Sequence, residues 1–181
     1  MLANSADRYG LVSRFLHWVM ALFILVMIGV GIYMTDLAKD DPLRGQLYSM
    51  HKAVGVTLLG LAVARILWIL VSRPPAMPSA LQRWEVVLAK STVGLLYLLM
   101  LATPIAGYLM SDTGGKPISY FGLFDLPSLM EKNHDLHEAL EEVHEVLAYT
   151  ILALVGLHVA GALKHRFMDK APDADVLRRM L

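Results

Sequence analysis

The chain contains four long stretches in which almost every position is apolar. They run from Phe15 to Met34, from Ala53 to Ser72, from Val93 to Met110 and from Val146 to Leu163. Each stretch is close to the ~20 residues that a helix needs to cross ~30 Å of hydrocarbon. Because no water is present there to satisfy backbone polar groups, segments of this kind must be helical. The pattern therefore predicts four membrane-spanning helices.

We expect these helices to form an all-α, integral membrane four-helix bundle in which residues 1–181 make a single membrane domain. The predicted spans cover residues 12–35, 52–72, 86–111 and 138–166. A soluble four-helix bundle is the alternative, but such a bundle needs polar outer faces, which these stretches lack. The composition favours the membrane protein, since 56% of the 181 residues are hydrophobic and only 18% are charged.

The net charge is zero, but the basic residues are distributed unevenly between the two ends of the predicted bundle. Nine Lys and Arg residues near the ends of the spans lie on the side of the two termini, whereas five lie on the opposite side. The nine are Arg8, Arg14, Arg73, Arg83, Lys164, Arg166, Lys170, Arg178 and Arg179, and the five are Lys39, Arg44, Lys52, Lys116 and Lys132. By the positive-inside rule, this asymmetry places both termini in the cytoplasm. The basic tail, including Arg178 and Arg179, is then a topology signal beside anionic lipid, and nucleic acid is not an expected partner.

Polar residues inside membrane spans are costly and usually functional, and four histidines lie within or at the edges of the predicted spans. His144 and His158 are 14 residues apart, close to four helical turns and ~21 Å, so both rings leave nearly one face of span 4. His17 lies at the cytoplasmic end of span 1, and His51 lies at the opposite end of span 2. His17 and His158 therefore lie at the same predicted depth in the membrane, and so do His51 and His144. These two pairs predict two metal centres, one near each membrane surface.

The residues alone leave the metal open, because paired neutral imidazoles suit iron, copper or zinc. Zinc sites usually have three or four protein ligands, whereas a porphyrin supplies four ligands of a six-coordinate iron and fits a bundle interior. The sequence has no cysteine, which excludes thiolate-bound haem, iron–sulfur clusters and covalently attached haem. A zinc site made by His134, His137 and Glu141 is disfavoured because no fourth ligand is evident. As a further alternative, the four histidines have only a structural role. The protein would then bind no haem and would show no Soret band in its absorption spectrum.

Three sequence motifs resemble those of the bacterial cytochrome b561 family, and the resemblance extends over nearly the whole chain. They are SRFLHW at residues 13–18, GYLMS followed by GGKPISYFG within residues 107–122, and LHVAGALKH at residues 157–165. The resemblance implies a four-helix protein of the bacterial inner membrane with two non-covalent haem b groups. The implied bis-histidine ligands fall on His17, His51, His144 and His158, with the same pairing that depth indicates.

A haem iron with two histidine ligands has no open position for oxygen, so outer-sphere, one-electron transfer is the expected chemistry. The sequence thus predicts a transmembrane electron-transfer cytochrome b. The resemblance implies ubiquinone as one substrate and a periplasmic donor such as superoxide as the other, which would make the protein a superoxide:quinone oxidoreductase. The alternative is a haem-bearing membrane anchor or relay subunit that serves a separate redox protein, such as a dehydrogenase or hydrogenase.

Four cationic or titratable residues are candidates for contacts with these substrates. Lys52, next to the outer ligand of span 2, and Lys116, in the GGKP loop, are placed to steer a small anion, unless they pair with propionates or are simply solvated. His165 lies about two turns beyond His158 and is a candidate to hydrogen-bond a quinone or deliver a proton, unless it is an ordinary interfacial histidine. Arg65, inside span 2, needs a partner such as a propionate or a quinone, unless it snorkels to the headgroups.

Overall fold

Four long helices make up most of the structure, a computed structural model that describes residues 1–181 apart from the side chain of Pro172. All four are long and apolar enough to cross a membrane, and the prediction of an all-α four-helix bundle is confirmed. A short antiparallel hairpin connects the third helix to the fourth. The elements are α1 (Leu11–Asp36), α2 (Pro42–Val71), α3 (Arg83–Thr113), β1 (Ser119–Tyr120), β2 (Phe124–Asp125) and α4 (His134–Phe167), followed by the 3₁₀ turns Pro172–Ala174 and Leu177–Arg179.

Capping side chains start two of the helices well before their apolar stretches. The Asp41 carboxylate accepts a hydrogen bond from Leu43 N, and Pro42 suits the first helical position, so α2 begins at Pro42 rather than at residue 52. The Asn133 side chain likewise caps α4, which begins at His134 rather than at residue 138. Both helices therefore project past the predicted spans.

Consecutive helices run in opposite directions, so one end of the bundle carries both termini and the other carries the hairpin. We call these the inner end and the outer end. The α3 helix packs extensively on α4, α1 packs on α2, and α2 packs on α3, whereas α4 barely touches α1. A small apolar core of Met20, Leu58 and Ala62 joins α1 to α2. Two cavities lie in the remaining space, one toward each end of the bundle.

The outward faces of the helices are apolar, which is the reverse of the arrangement in a soluble bundle. Leu22, Leu70 and Leu98 illustrate this, since each has more than half of its surface exposed. An apolar surface of this extent suits lipid and not water, and a helix satisfies its own backbone there. The chain is a multi-pass membrane protein.

The N-terminal segment and the C-terminal tail close the inner end. Asn4 donates from its backbone N to Ser72 Oγ and from Nδ2 to Ser72 O, and its Oδ1 accepts from Ser13 Oγ. The tail is held by Trp18 Nε1, which donates to Met180 O at 3.0 Å. These contacts fix the inner ends of α1 and α2 relative to each other.

Candidate functional site: two histidine pairs

The outer end of the bundle contains a histidine pair formed between α2 and α4. The ring centroids of His51 and His144 are 6.3 Å apart, with the ring planes at 75°. His144 Nδ1 lies 2.9 Å from Thr103 O on α3. Because a carbonyl oxygen only accepts, Nδ1 carries the proton and donates it, which leaves Nε2 with a free lone pair. Metal-binding histidines are held in the same way, with the second nitrogen donating to a backbone or carboxylate oxygen.

Gly107 on α3 allows the His144 ring to approach the backbone this closely. A Cβ at Gly107 would lie 2.9 Å from His144 Cε1, which is closer than real Cβ atoms come to a neighbour, and 3.0 Å from Nδ1. The arrangement recurs seven residues along, where His137 Nδ1 donates to Met110 O at 2.7 Å and packs against Gly114. The two helices thus share a seven-residue register in which each histidine contacts one carbonyl and one glycine.

The partner ring, His51, lacks a comparable orienting contact. Its Nδ1 is buried and has no hydrogen-bond partner among the described residues. A Cβ at Gly31 would lie 3.4 Å from His51 Cε1, so α1 approaches this ring closely. A buried polar atom without a partner is rare in native proteins, and it often marks a position where an ion or another bound group belongs.

The inner end contains a second pair, formed between α1 and α4. The ring centroids of His17 and His158 are 6.1 Å apart, with the planes at 58°. Arg65 on α2 extends into the same space, where its Nη2 lies 3.0 Å from His17 Nδ1 and its Nε donates to Tyr97 Oη at 3.1 Å. The structure thus brings together the same two pairs that depth in the membrane indicates.

Both pairs have the dimensions of an axial ligand set. Two metal–nitrogen bonds of about 2 Å hold the ligating nitrogen atoms about 4 Å apart. The distance from each nitrogen to the centroid of its own ring accounts for the rest of the 6.1 and 6.3 Å between centroids. The surrounding cavities measure about 740 Å³ at the inner end and about 430 Å³ at the outer end, as expected for cofactor sites. Two imidazoles do not complete a bare zinc site, but they complete the coordination of a porphyrin-bound iron. The residues present therefore fit haem.

The two lysines predicted to attract an anion lie at the outer end in different environments. Lys52 is half-buried, and its Nζ donates to Ser111 Oγ and to the carbonyl oxygens of Lys116 and Pro117. Lys52 therefore holds the connection after α3 against α2, while it also lines the outer cavity. The Lys116 side chain is exposed to solvent.

His165 and Arg65 both line the inner cavity. His165 Nδ1 donates to Asp169 Oδ2 at 2.6 Å, so its Nε2 remains available to another group. Lys164 Nζ donates to both Asp169 and Glu85, and the bonds from Lys164 and His165 hold the pKa of Asp169 below its usual value. Glu85, His165 and Asp169 lie close enough to bind a cation. However, the Lys164 ammonium already bridges the two carboxylates, and the cluster is an ion-pair network.

The residues weighed for a zinc site do not converge in the described structure. His134 is exposed and pairs with Glu138 at 3.4 Å, whereas His137 turns to Met110 O on α3. Each of the two histidines thus has a different partner.

Several residues that shape the two sites were missed by sequence reasoning. Thr103 contributes a backbone carbonyl, which every residue type has. Tyr97 and Glu85 lie on α3, which contains no histidine. One signal was available in the sequence. Gly107 and Gly114 have the same seven-residue spacing as His137 and His144.

A membrane-spanning four-helix bundle with a haem-sized cavity and a histidine pair toward each end defines a class of protein, the membrane cytochromes of the b type. The sequence matches the family model described as prokaryotic cytochrome b561 over residues 8–181. The chain belongs to this family. Haem b binding and transmembrane electron transfer follow from that membership.

Curated relatives match the chain over nearly its full length. Cytochrome b561 homolog 2 of Escherichia coli (strain K12) is 35% identical over 178 residues, which cover 98% of this chain and 93% of that protein. The probable superoxide oxidase CybB of Yersinia pestis is 28% identical over 175 residues, 96% of each chain. Cytochrome b561 homolog 1 of Escherichia coli (strain K12) is 22% identical over 174 residues, with 96% and 97% covered.

Proposed function

We propose that the chain holds two haem b groups and passes electrons between them across the bacterial inner membrane, with both termini in the cytoplasm. His51 and His144 would hold the haem at the outer end, and His17 and His158 would hold the haem at the inner end. The observation that carries the proposal is the imidazole pair toward each end of the bundle, at centroid distances of 6.3 and 6.1 Å. Haem with two axial histidines supplies one-electron, outer-sphere transfer and leaves no iron position open to oxygen.

The protein's own contribution begins with the orientation of the ligands. Thr103 O holds the proton of His144 on Nδ1, so that Nε2 is directed away from α3 as an acceptor. Gly107 leaves the space for that orientation. The apolar core of Met20, Leu58 and Ala62 lies between the helices that provide His17 and His51, and it contributes to the low-polarity interior of the bundle.

Superoxide is the proposed donor at the outer end. It gives up one electron and leaves as dioxygen, so it needs only close approach and no covalent contact. Lys52 and Lys116 supply positive charge on this side, and clustered cations raise the local concentration of a small anion. The name of the Yersinia pestis relative, probable superoxide oxidase, is in keeping with this donor.

Ubiquinone is the proposed acceptor at the inner end. Both sites would hold the same macrocycle, yet the inner cavity is larger, at about 740 Å³ against about 430 Å³, and the excess suits a second ligand. His165 Nε2 and the Arg65 guanidinium lie along this cavity and can hydrogen-bond quinone oxygens. Full reduction takes two electrons and two protons. His165, held by Asp169 near the cytoplasmic surface, is placed to pass protons from the cytoplasm to the quinone.

The proposal is tested by comparing the wild type with His144→Ala and His158→Ala. The wild type is expected to contain two haems per chain by the pyridine haemochrome assay, to be reduced by superoxide under anaerobic conditions, and to be reoxidised by a soluble ubiquinone. His144→Ala should retain one haem that reacts with quinone but poorly with superoxide. His158→Ala should retain one haem with the opposite preference. His134→Ala, an exposed histidine at the outer end, is the matched control and should behave as the wild type.

One haem per wild-type chain would reject the two-site proposal. Two haems that superoxide fails to reduce, together with co-purification of a large redox partner, would favour the relay-subunit alternative.

A further inference from the structure

We propose that Arg65 raises the reduction potential of the inner haem above that of the outer haem and thereby directs electrons inward. The inference rests on the proposed function, in which each histidine pair holds one haem. In each transfer the outer iron is oxidised from ferrous to ferric, and the inner iron is reduced from ferric to ferrous. One electron moves, and no proton accompanies it.

Arg65 is an intramembrane cation without a protein counter-charge. It belongs to the apolar part of α2, and its guanidinium contacts His17 Nδ1 at 3.0 Å and Tyr97 Oη at 3.1 Å. Among the described residues, no carboxylate lies within 4.0 Å of it. Charges of this kind are expensive in a bilayer, and they usually serve a bound group or a charge-transfer path.

The contact with His17 cannot persist once that histidine binds iron. A guanidinium only donates, so Nδ1 of His17 accepts from Arg65 and the ring proton lies on Nε2. A neutral histidine that binds iron through Nε2 carries its proton on Nδ1, and one that binds through Nδ1 has no lone pair left there. Iron binding by His17 would therefore free the guanidinium from that contact. Tyr97 Oη, which accepts from Arg65 Nε, would remain as a partner beside the inner site.

The charged groups around the two cavities differ in sign. The inner cavity is lined by four cations, Arg65, Lys90, Lys164 and Arg179, and by one anion, Glu85. The outer cavity is lined by one cation, Lys52, and by two anions, Glu141 and Glu145. Lys164 is neutralised by Glu85 and Asp169, and Lys90 is exposed. Arg179 donates to Ala76 O in the connection between α2 and α3, whereas Arg65 contacts the proposed ligand His17 itself. Arg65 is therefore the unpaired inner cation in direct contact with a proposed ligand.

A nearby cation favours the reduced form of the iron, because the ferrous state has one positive charge fewer than the ferric state. The cation changes the reduction potential strongly when it is close and lies in a low-dielectric interior, and only weakly when it lies in water. A haem propionate as the new partner of Arg65 leaves the sign unchanged, since removal of the cation would then expose the anion. Charge near the site is among the levers by which proteins set reduction potentials.

The test is an equilibrium optical redox titration of the purified two-haem protein and three variants. The titration should show two one-electron steps, of which the inner haem gives the one at higher potential. In Arg65→Gln, we expect this step to move to lower potential, while the step of the outer haem stays where it is. The preference of the first electron for the inner haem should fall about tenfold or more, which corresponds to at least 59 mV for a one-electron couple. Arg65→Lys keeps the charge and should retain most of the wild-type separation. Lys90→Gln removes an exposed cation from the same cavity and should shift neither step.

Equal movement of both steps in Arg65→Gln, or movement of neither, would overturn the inference. So would a shift in Arg65→Lys as large as that in Arg65→Gln, because shape and not charge would then be responsible. If Arg65→Gln loses the inner haem, Arg65→Lys decides: retention of both haems and of the high-potential step supports the role of charge, and loss of either overturns it. A single haem in the wild type would instead reject the proposed function itself.

Discussion

At the residue scale, the orientation of His144 depends on two positions of α3 that have no functional side chain. Thr103 contributes its carbonyl oxygen, and Gly107 contributes the absence of a Cβ. Together they fix both the ring position and the nitrogen that carries the proton. A ligand held in this way loses little further conformational freedom when it binds metal, which favours retention of the cofactor.

Gly107→Ala is therefore expected to weaken the outer site while it spares the inner one. The new Cβ would lie 2.9 Å from His144 Cε1, so the ring must move away from Thr103 O. We expect haem content to fall from two per chain toward one, measured by the pyridine haemochrome assay. Gly60→Ala is the control, because a Cβ there meets nothing within 4 Å. Full retention of both haems by Gly107→Ala would show that the contact does not position the ligand.

The two histidine pairs could be predicted from the sequence because helical periodicity and membrane topology fix which rings share a face and a depth. The orienting contacts could not, since they depend on how closely α3 and α4 approach each other. Arg65 illustrates the boundary. The sequence shows that an arginine inside a span needs a partner, but only the fold places its Nη2 3.0 Å from His17 Nδ1.

At the scale of elements, the inner ends of α3 and α4 are joined by an ion-pair network. Glu85 on the first turn of α3 binds Lys164 near the end of α4, and Lys164 and His165 both donate to Asp169 just beyond it. Glu85 also accepts from Gln82 N in a capping box, so one carboxylate starts α3 and attaches it to α4. The network holds His165 along the inner cavity.

Asp169→Asn should lower the thermal stability of the purified protein at neutral pH, by about 2 °C. Hydrogen bonds from Lys164 and His165 depress the pKa of Asp169 in the folded state. This stabilisation is complete above the unfolded pKa of about 3.9 and is lost as the pH falls through the lower folded value. The difference in Tm between the wild type and Asp169→Asn should therefore shrink in acid. Asp40→Asn, in the exposed α1–α2 connection, is the control, and an unchanged difference at low pH would contradict the linkage.

At the element scale, the hydrophobic pattern predicts only part of each helix, and capping residues set where two of the helices begin. Apolar runs identified the membrane-crossing part of each helix, but the aqueous extensions of α2 and α4 depend on caps. Asp41 with Pro42 and Asn133 start these helices outside the apolar runs, and His137 thereby enters the same register as His144. Caps act through one or two hydrogen bonds, so a hydrophobicity pattern does not reveal them.

At the scale of the whole molecule, the two ends of the bundle differ in the volume of their cavities, in their charge and in the segments of the chain that lie there. The larger cavity, both termini and the α2–α3 connection lie at the inner end, and the hairpin and the acidic start of α4 lie at the outer end. The 14 basic residues counted near the ends of the spans follow the same division, nine to five. Such an asymmetry suits a protein that takes electrons from one compartment and delivers them beside another.

The orientation of the bundle is expected to follow this charge bias, with the inner end in the cytoplasm. Alkaline phosphatase is active only where its disulfides form, in the periplasm. A fusion after Leu181 should therefore be inactive, and a fusion after Asp40, in the α1–α2 connection, should be active. Replacing Arg178 and Arg179 with Gln leaves seven basic residues on the inner side against five outside, so the same pattern is expected. An active C-terminal fusion would reverse the assignment and would place the larger cavity, with Arg65 and His165, on the periplasmic side.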